Sequence, residues 1–250
     1  MAKQKKKLSI VSNDVSEHKA YANKNFNLHH VNHLSPKTYP QKQFIESYDQ
    51  GIPIIAQIGS AGSGKTFIAL HCALTDVFDP QTPYTQVMIV RSAVPTRDIG
   101  FLPGDQSEKE EVFETPYVSL CDEIMCFKSR NYENLKAKNI IDFRTTSYMR
   151  GQTFDNTIIV IDEAQSMTYH ELSTITTRMG KNSRLVICGD ARQNDLIKSR
   201  NDKSGLKDFI NVVEKMSGES VDIVNYMPRD IVRSGVVREF LIAEEESGLL

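Results

Sequence analysis

No apolar run in this 250-residue chain approaches the roughly 18 residues of a membrane-spanning helix. Four lysines, Lys3, Lys5, Lys6 and Lys7, stand near the start, but no apolar stretch follows them, so a secretory leader is not expected. Cysteine is sparse: Cys72, Cys121, Cys126 and Cys188 are scattered among strand-like and helix-like segments. That usage is expected of reduced thiols in a cytoplasmic protein. Cys121 and Cys126 are too isolated to build a four-ligand zinc site. An excess of one charge is also missing. The net charge of −2 excludes a uniformly basic protein, though not a local basic stripe that follows nucleic acid. Internal repeats and low-complexity blocks are absent too. What is present is 40% apolar and 25% charged residues, an ordinary balance that can fill the core of one large or two small domains.

Residues 1–35 are polar and basic with little apolar periodicity, and are expected to form a flexible or peripheral arm. His29, His30 and His33 cluster there without a carboxylate or thiol at ligand spacing, so they read as surface histidines rather than a metal site. Residues 36–250 alternate strand-like and helix-like segments. A helix is expected over residues 41–49, and strands over 52–58, 87–90, 140–143, 157–161, 184–188 and 221–226. The section from Pro95 to Lys138 begins as a loop and turns helical. A further helix runs from Tyr169 to Met179, opened by the capping box Thr168-x-x-Glu171 and closed by Gly180. Continuous Val/Ile strands between helices indicate an α/β domain whose mainly parallel sheet is covered by helices on both faces.

Between the first strand and the helix that follows it, Gly59-Ser60-Ala61-Gly62-Ser63-Gly64-Lys65-Thr66 reads G-x-x-x-x-G-K-T, the P-loop of nucleoside triphosphatases. Glycines let the backbone wrap an anion with successive N–H groups turned inward. The next helix adds its unpaired N-terminal amides and the positive end of its dipole. Lys65 offers a mobile charge to the outer phosphates, and the Thr66 hydroxyl can complete a magnesium shell.

The strand Thr157 to Ile161 ends in Asp162-Glu163-Ala164-Gln165. A strand of a parallel sheet delivers such acids at its carboxyl end, where ligands bind. Asp162 can hold the magnesium that Thr66 touches, and Glu163 can orient or deprotonate the attacking water. Two acids capping a strand end are also common on any surface, so this reading leans on the loop beside it. Gly189-Asp190-Ala191-Arg192-Gln193 follows the next strand; Gln193 both donates and accepts, which suits a sensor of the terminal phosphate, while a plain Gly-Asp turn remains the alternative. Gln41, just after Tyr39-Pro40, stands where many helicases use a glutamine to pair with the edge of adenine. An exposed glutamine opening a helix is the equal alternative.

Together these motifs resemble the PhoH-like family of P-loop ATPases, whose domain looks like the first motor lobe of superfamily 1 helicases, a RecA-like fold. Beyond the loop and the Asp-Glu-Ala-Gln string, the likeness is carried by Arg91-Ser92-Ala93-Val94, Gly100-Phe101-Leu102-Pro103-Gly104-Asp105, Tyr148-Met149-Arg150-Gly151, Thr177-Arg178-Met179-Gly180, Asp195-Leu196, Lys203-Ser204-Gly205-Leu206 and Asp230-Ile231-Val232-Arg233. These strings span residues 38–245. Ser92 and Ile197 stand where many relatives carry Pro. The resemblance implies ATP and Mg2+ as cofactors, ATP hydrolysis, coupling to RNA or single-stranded DNA, and a homo-oligomer such as a hexameric ring. No nuclease domain is expected ahead of the motor in this sequence, so the fused nuclease form of some relatives is not expected.

A complete motor of that kind closes a second lobe, with its arginine, over the nucleotide. The residues after Gln193 are too few for another lobe, so a neighbouring subunit is the expected source of the arginine, with Arg178 and Arg233 as candidates. Each is also read as an ordinary surface ion pair. Arg91, Phe101, Tyr148 and Arg150 are candidates for a nucleic-acid track of basic and stacking groups. Two other functions are weighed against the nucleic-acid-coupled ATPase: an ATP-dependent oligomeric switch or scaffold, and a phosphotransferase. The phosphotransferase is disfavoured because Asp162-Glu163 places a carboxylate for water.

Overall fold

A computed structural model describes residues 26–92, 106–126, 130–146, 149, 151–190 and 205–247. Its centre is a six-stranded sheet: β1 (Ile54–Gly59), β2 (Gln86–Arg91), β3 (Ile141–Thr145), β4 (Thr157–Ile161), β5 (Arg184–Gly189) and β6 (Val221–Tyr226). The spatial order is β3-β2-β4-β5-β1-β6, and every pairing is parallel. Every residue of β1, β4 and β5 is buried, which is why these strands read as continuous apolar runs instead of alternating ones.

Alternate residues of each strand supply two separate cores. On one face, Ile55, Ile89, Val160 and Val186 pack against α1 (Tyr39–Asp49), α2 (Lys65–Phe78), α3 (Gln106–Ile124) and α4 (Asn131–Ala137). On the other, Ala56, Val90, Ile159 and Ile187 meet Leu172 and Ile175 of α5 (Tyr169–Thr176) and Leu206 and Phe209 of α6 (Leu206–Val213). Helices thus cover both faces, and the chain has the RecA-like α/β fold expected from its strands. A seventh helix, α7 (Gly235–Glu246), lies at the carboxyl end of β6.

Local chemistry explains where the helices start. Thr38 caps α1 through Gln41 N, with Pro40 in the first turn. Thr168 and Glu171 form the capping box of α5. That helix ends at Thr176, not Met179. The reason is tertiary: Phe154 N donates to Arg178 O and Gly180 N donates to Phe154 O, both at 2.9 Å, which draws residues 178–180 out of the helix.

Residues 26–35, expected to belong to the arm, dock on the domain. Phe26 is buried and stacks on Phe78 at 5.6 Å. Asn32 N donates to Ile124 O, and the ring of His71 bonds Asn32 O at 2.7 Å. Phe26, with Val31 and Leu34 packed against the same core, and a few hydrogen bonds suffice to dock a segment whose composition is polar.

Candidate functional site

The register of the sheet brings the ends of its central strands level: Ile58 lies opposite Gly189, and Ile161 opposite both Val90 and Ile187. Gly59, Arg91, Asp162 and Asp190 therefore emerge together at the carboxyl end of the sheet. Gly59 can be nothing else, since a Cβ there would lie 1.9 Å from the carbonyl oxygen of Tyr226 at a φ of +130°. Gly64, at φ +83°, turns the chain into α2. The first bond of that helix runs from Ile68 N to Gly64 O, which leaves the amides of Lys65, Thr66 and Phe67 without a partner inside the helix.

The Lys65 ammonium is folded back over this loop. It donates to Gly59 O at 2.6 Å, to Ser60 O at 2.8 Å and to Ser63 Oγ at 3.4 Å. Burial holds its pKa below the usual lysine range, and the nearby acidic groups pull the other way. A phosphate gives such an ammonium a better partner than neutral carbonyls. Beneath the loop, fully buried Gln57 accepts from Tyr226 Oη at 2.7 Å and donates to Lys65 O at 3.1 Å, so it ties β1, β6 and the start of α2 together.

Asp162 follows β4, with its backbone amide bonded to Val90 O. Its Oδ1 accepts from the Thr66 hydroxyl at 2.6 Å, and its Oδ2 accepts from the Tyr117 hydroxyl of α3 at 2.8 Å. Glu163 adopts φ +52°, a left-handed conformation that costs a non-glycine residue energy. Gln165 braces it: Nε2 donates to Glu163 Oε2 at 2.5 Å while Oε1 accepts from Asp190 N at 3.1 Å. Burial, reinforced by the charge of Asp162, pushes the Glu163 carboxyl above the usual glutamate value.

These groups face one cavity of about 650 Å³, which runs from Leu34 and Gln41 past Lys65 to Asp162, Glu163 and Asp190. The Thr66 hydroxyl and the Asp162 carboxylate are hard oxygen donors 2.6 Å apart, and so suit Mg2+. Among the described residues no cluster of three or more His, Cys, Asp or Glu side chains forms a separate metal site.

The other candidates divide. Gln41 lines the cavity, but it is buried, with Nε2 on Ser63 O at 2.9 Å and Oε1 on Lys37 N at 2.6 Å. Its amide therefore braces the loop as well as facing the cavity. Arg233 lines the cavity of its own chain, its Cγ 3.1 Å from the position a Cβ would take on Gly62. This runs against the expectation that it reaches into a neighbouring subunit. Arg178 lies after α5, bonded through its carbonyl to Phe154 ahead of β4, at the opposite end of the sheet. Arg91 is half-buried over the Phe113 ring, and its charge lowers the pKa of Glu163, so it sits beside the acids. Phe101, Tyr148, Arg150 and Gln193 lie outside the described residues.

Three supporting residues escaped sequence reasoning. Gln57 left a signal, a polar residue inside an apolar strand. Gln165 stood in a recognised string without a role. Tyr117 left none.

The chain matches the family described as PhoH-like protein over residues 33–244. It belongs to that family. A PhoH-like protein of Mycobacterium leprae is 31% identical over 214 residues, which cover 85% of this chain and 59% of that protein. Protein PhoH2 of Bacillus subtilis is 33% identical over 174 residues, covering 68% of this chain and 39% of that one. For Protein PhoH of Escherichia coli the values are 30% over 191 residues, 76% and 52%. This PhoH-like chain thus spans 59% or less of the length of each of these three relatives. Among solved structures it is distantly similar to the large terminase of bacteriophage HK97 (TM-score 0.49, 14% identity, 94% of this chain and 52% of that one). The Hef helicase domain of Pyrococcus furiosus gives a TM-score of 0.45 at 12% identity, over 78% of this chain and 40% of that one. The PhoH-like chain has the P-loop nucleotide-binding architecture of its family, and no helix among its described residues is long and apolar enough to cross a membrane.

Proposed function

We propose that this chain binds ATP with Mg2+ and hydrolyses it, and that it couples the reaction to RNA or single-stranded DNA. The observation that carries the reading is the convergence of Lys65, Thr66, Asp162 and Glu163 on one cavity at the carboxyl end of a parallel sheet. Residues 59–66 cradle the phosphates with backbone amides, and Lys65 leaves the loop carbonyls to neutralise the outer ones. Thr66 and Asp162 hold the cation, which when bound offsets charge on the phosphate oxygens. Glu163 accepts the proton of the attacking water, and Gln193 senses the terminal phosphate. Gln41 closes the base end of the cavity. ATP hydrolysis with Mg2+, measured with and without RNA and single-stranded DNA, tests the reading. No hydrolysis under any of these conditions refutes it.

The nucleic-acid part is supported by where β2 and β3 end. Both strands end level with Asp162, Arg91 closes β2, and Phe101, Tyr148 and Arg150 follow these two strands in the sequence. Affinity for single strands is expected to fall as salt rises, with a slope near −0.7 per phosphate neutralised. Replacing Arg150 by alanine is expected to weaken binding and flatten that slope by about 0.7. An unchanged slope in a filter-binding titration removes Arg150 from the track.

A nucleotide-dependent oligomeric switch is the second reading, and a specific observation favours it. Val236 (80% exposed), Val237 and Phe240 of α7 stand free of the domain, and Leu241 of the same helix approaches Gly62 of the loop. Apolar side chains so placed suit contact with a second copy of the chain, a homo-oligomer in which Arg178 reaches another subunit while Arg233 serves its own. Arg178→Ala is expected to lower turnover by about 10³-fold. Mixing it with Lys65→Ala chains should restore part of the activity, whereas Arg233→Ala mixed with Lys65→Ala should restore none. A fully active monomer in light scattering sinks the Arg178 expectation and the oligomeric reading with it. Together with its unpaired thiols, this reading suits a cytoplasmic protein.

A further inference from the structure

We propose that Tyr117 is a positioning residue for the metal site, and that it holds the carboxylate of Asp162 in the orientation in which Asp162 and Thr66 receive a divalent cation. This rests on the reading of Asp162 as a metal ligand given above. The observation is that both carboxylate oxygens are engaged, from two different elements. Thr66 of α2 donates to Oδ1 at 2.6 Å, and Tyr117 of α3 donates to Oδ2 at 2.8 Å.

A cation at Thr66 and Asp162 can use lone pairs that the two hydrogen bonds leave free, so neither bond has to break. The bond from Tyr117 to Oδ2 comes from an element outside the P-loop and, with the one from Thr66, fixes the plane of the carboxylate, whose remaining freedom is rotation about its last side-chain bond. Tyr117 is suited to that task because it cannot move. It is fully buried, and its ring lies 5.8 Å from that of Phe143 on β3. Outer partners of this kind orient a ligand and typically change metal affinity or activity by about 10- to 100-fold.

A purely structural role is the competing account, since a buried tyrosine hydroxyl generally finds a partner. The fold supplies its own control. Tyr132 of α4 makes the same kind of bond, donating to Glu114 Oε2 at 2.8 Å, and it does not line the cavity. Tyr117→Phe and Tyr132→Phe each remove one oxygen and keep the ring, so both are expected to fold with a similar loss in melting temperature.

The measurement is Mn2+ affinity of the ADP-loaded protein by electron paramagnetic resonance, beside ADP affinity in EDTA. Tyr117→Phe is expected to weaken Mn2+ about tenfold, Tyr132→Phe to leave it unchanged, and both to bind ADP normally without metal. Equal losses in the two variants, or wild-type Mn2+ affinity in Tyr117→Phe, overturn the proposal. Asp162→Asn separates the two levels. If it lowers Mn2+ affinity while Tyr117→Phe does not, the positioning role alone fails. If Asp162→Asn binds Mn2+ like the wild type, the metal-site reading itself fails. If the Tyr117→Phe chain does not fold, Phe143→Leu decides. With the packing of the Tyr117 ring loosened, weakened Mn2+ binding at unchanged ADP affinity in EDTA supports the tether, and wild-type Mn2+ affinity counts against it.

Discussion

Replacement of Lys65 by alanine is expected to abolish ATP hydrolysis and to weaken nucleotide binding by about 10- to 100-fold, the loss of one or two charge-assisted hydrogen bonds. Lys65 is the cation that lies within the loop itself, with its ammonium on the carbonyl oxygens of Gly59 and Ser60. When phosphate arrives, the ammonium exchanges neutral acceptors for charged ones at little reorganisation, because it is already buried beside the site. Alanine removes this charge and leaves the backbone cradle, whose glycines and helix amides are untouched, so weakened binding should remain measurable. A fluorescent ATP analogue reads the affinity and phosphate release reads the rate. Turnover within tenfold of the wild type would falsify the assignment of the loop as the hydrolytic phosphate site.

Glu163→Gln should separate binding from chemistry. The amide has the shape of the carboxylate and can still meet Gln165, but it cannot take a proton from water. Turnover is therefore expected to fall by about 10²- to 10⁴-fold, with ATP and Mn2+ affinities close to those of the wild type. The pH profile adds a second readout. Burial and the charge of Asp162 raise the pKa of Glu163. The base is protonated and inactive below that raised value and available above it. The acid limb of the rate profile should accordingly lie above the ordinary glutamate range and disappear in the glutamine variant. If the limb survives unchanged, another group is the base.

Much of the fold was legible because its physics is local or pervasive. A strand covered on both faces is apolar at most positions, as β1, β4 and β5 are, so they stand out as Val/Ile runs despite Gln57 within β1 and Arg184 at the start of β5. Helix starts were legible where a side chain caps its own turn, as Thr168 does with Glu171. The end of α5 was not, because Phe154, far along the chain, competes for its backbone. Nor was the docking of Phe26 and Asn32 onto α2 and α3. A polar composition indicates an arm, although Phe26, Val31 and Leu34 and a few paired amides hold residues 26–35 on the domain.

The candidate site divides in the same way. By itself the sequence determined the chemistry available to this protein: a glycine loop with Lys65 and Thr66 ahead of a helix, and Asp162 and Glu163 at the end of a buried strand. Those patterns are contiguous, and each meaning follows from spacing along one turn or one strand. Only the tertiary structure decided which groups meet. The Asp162 carboxylate is shared by Thr66 and Tyr117, residues 96 and 45 positions away. Gln165 spans β4 and β5, and Arg233 folds onto its own loop while Arg178 is carried to the far end of the sheet. Such contacts depend on strand order and on which helix lies over which strand. Both are set by how two apolar faces of one sheet are covered at once, a property of the whole packed chain that no short stretch of it encodes.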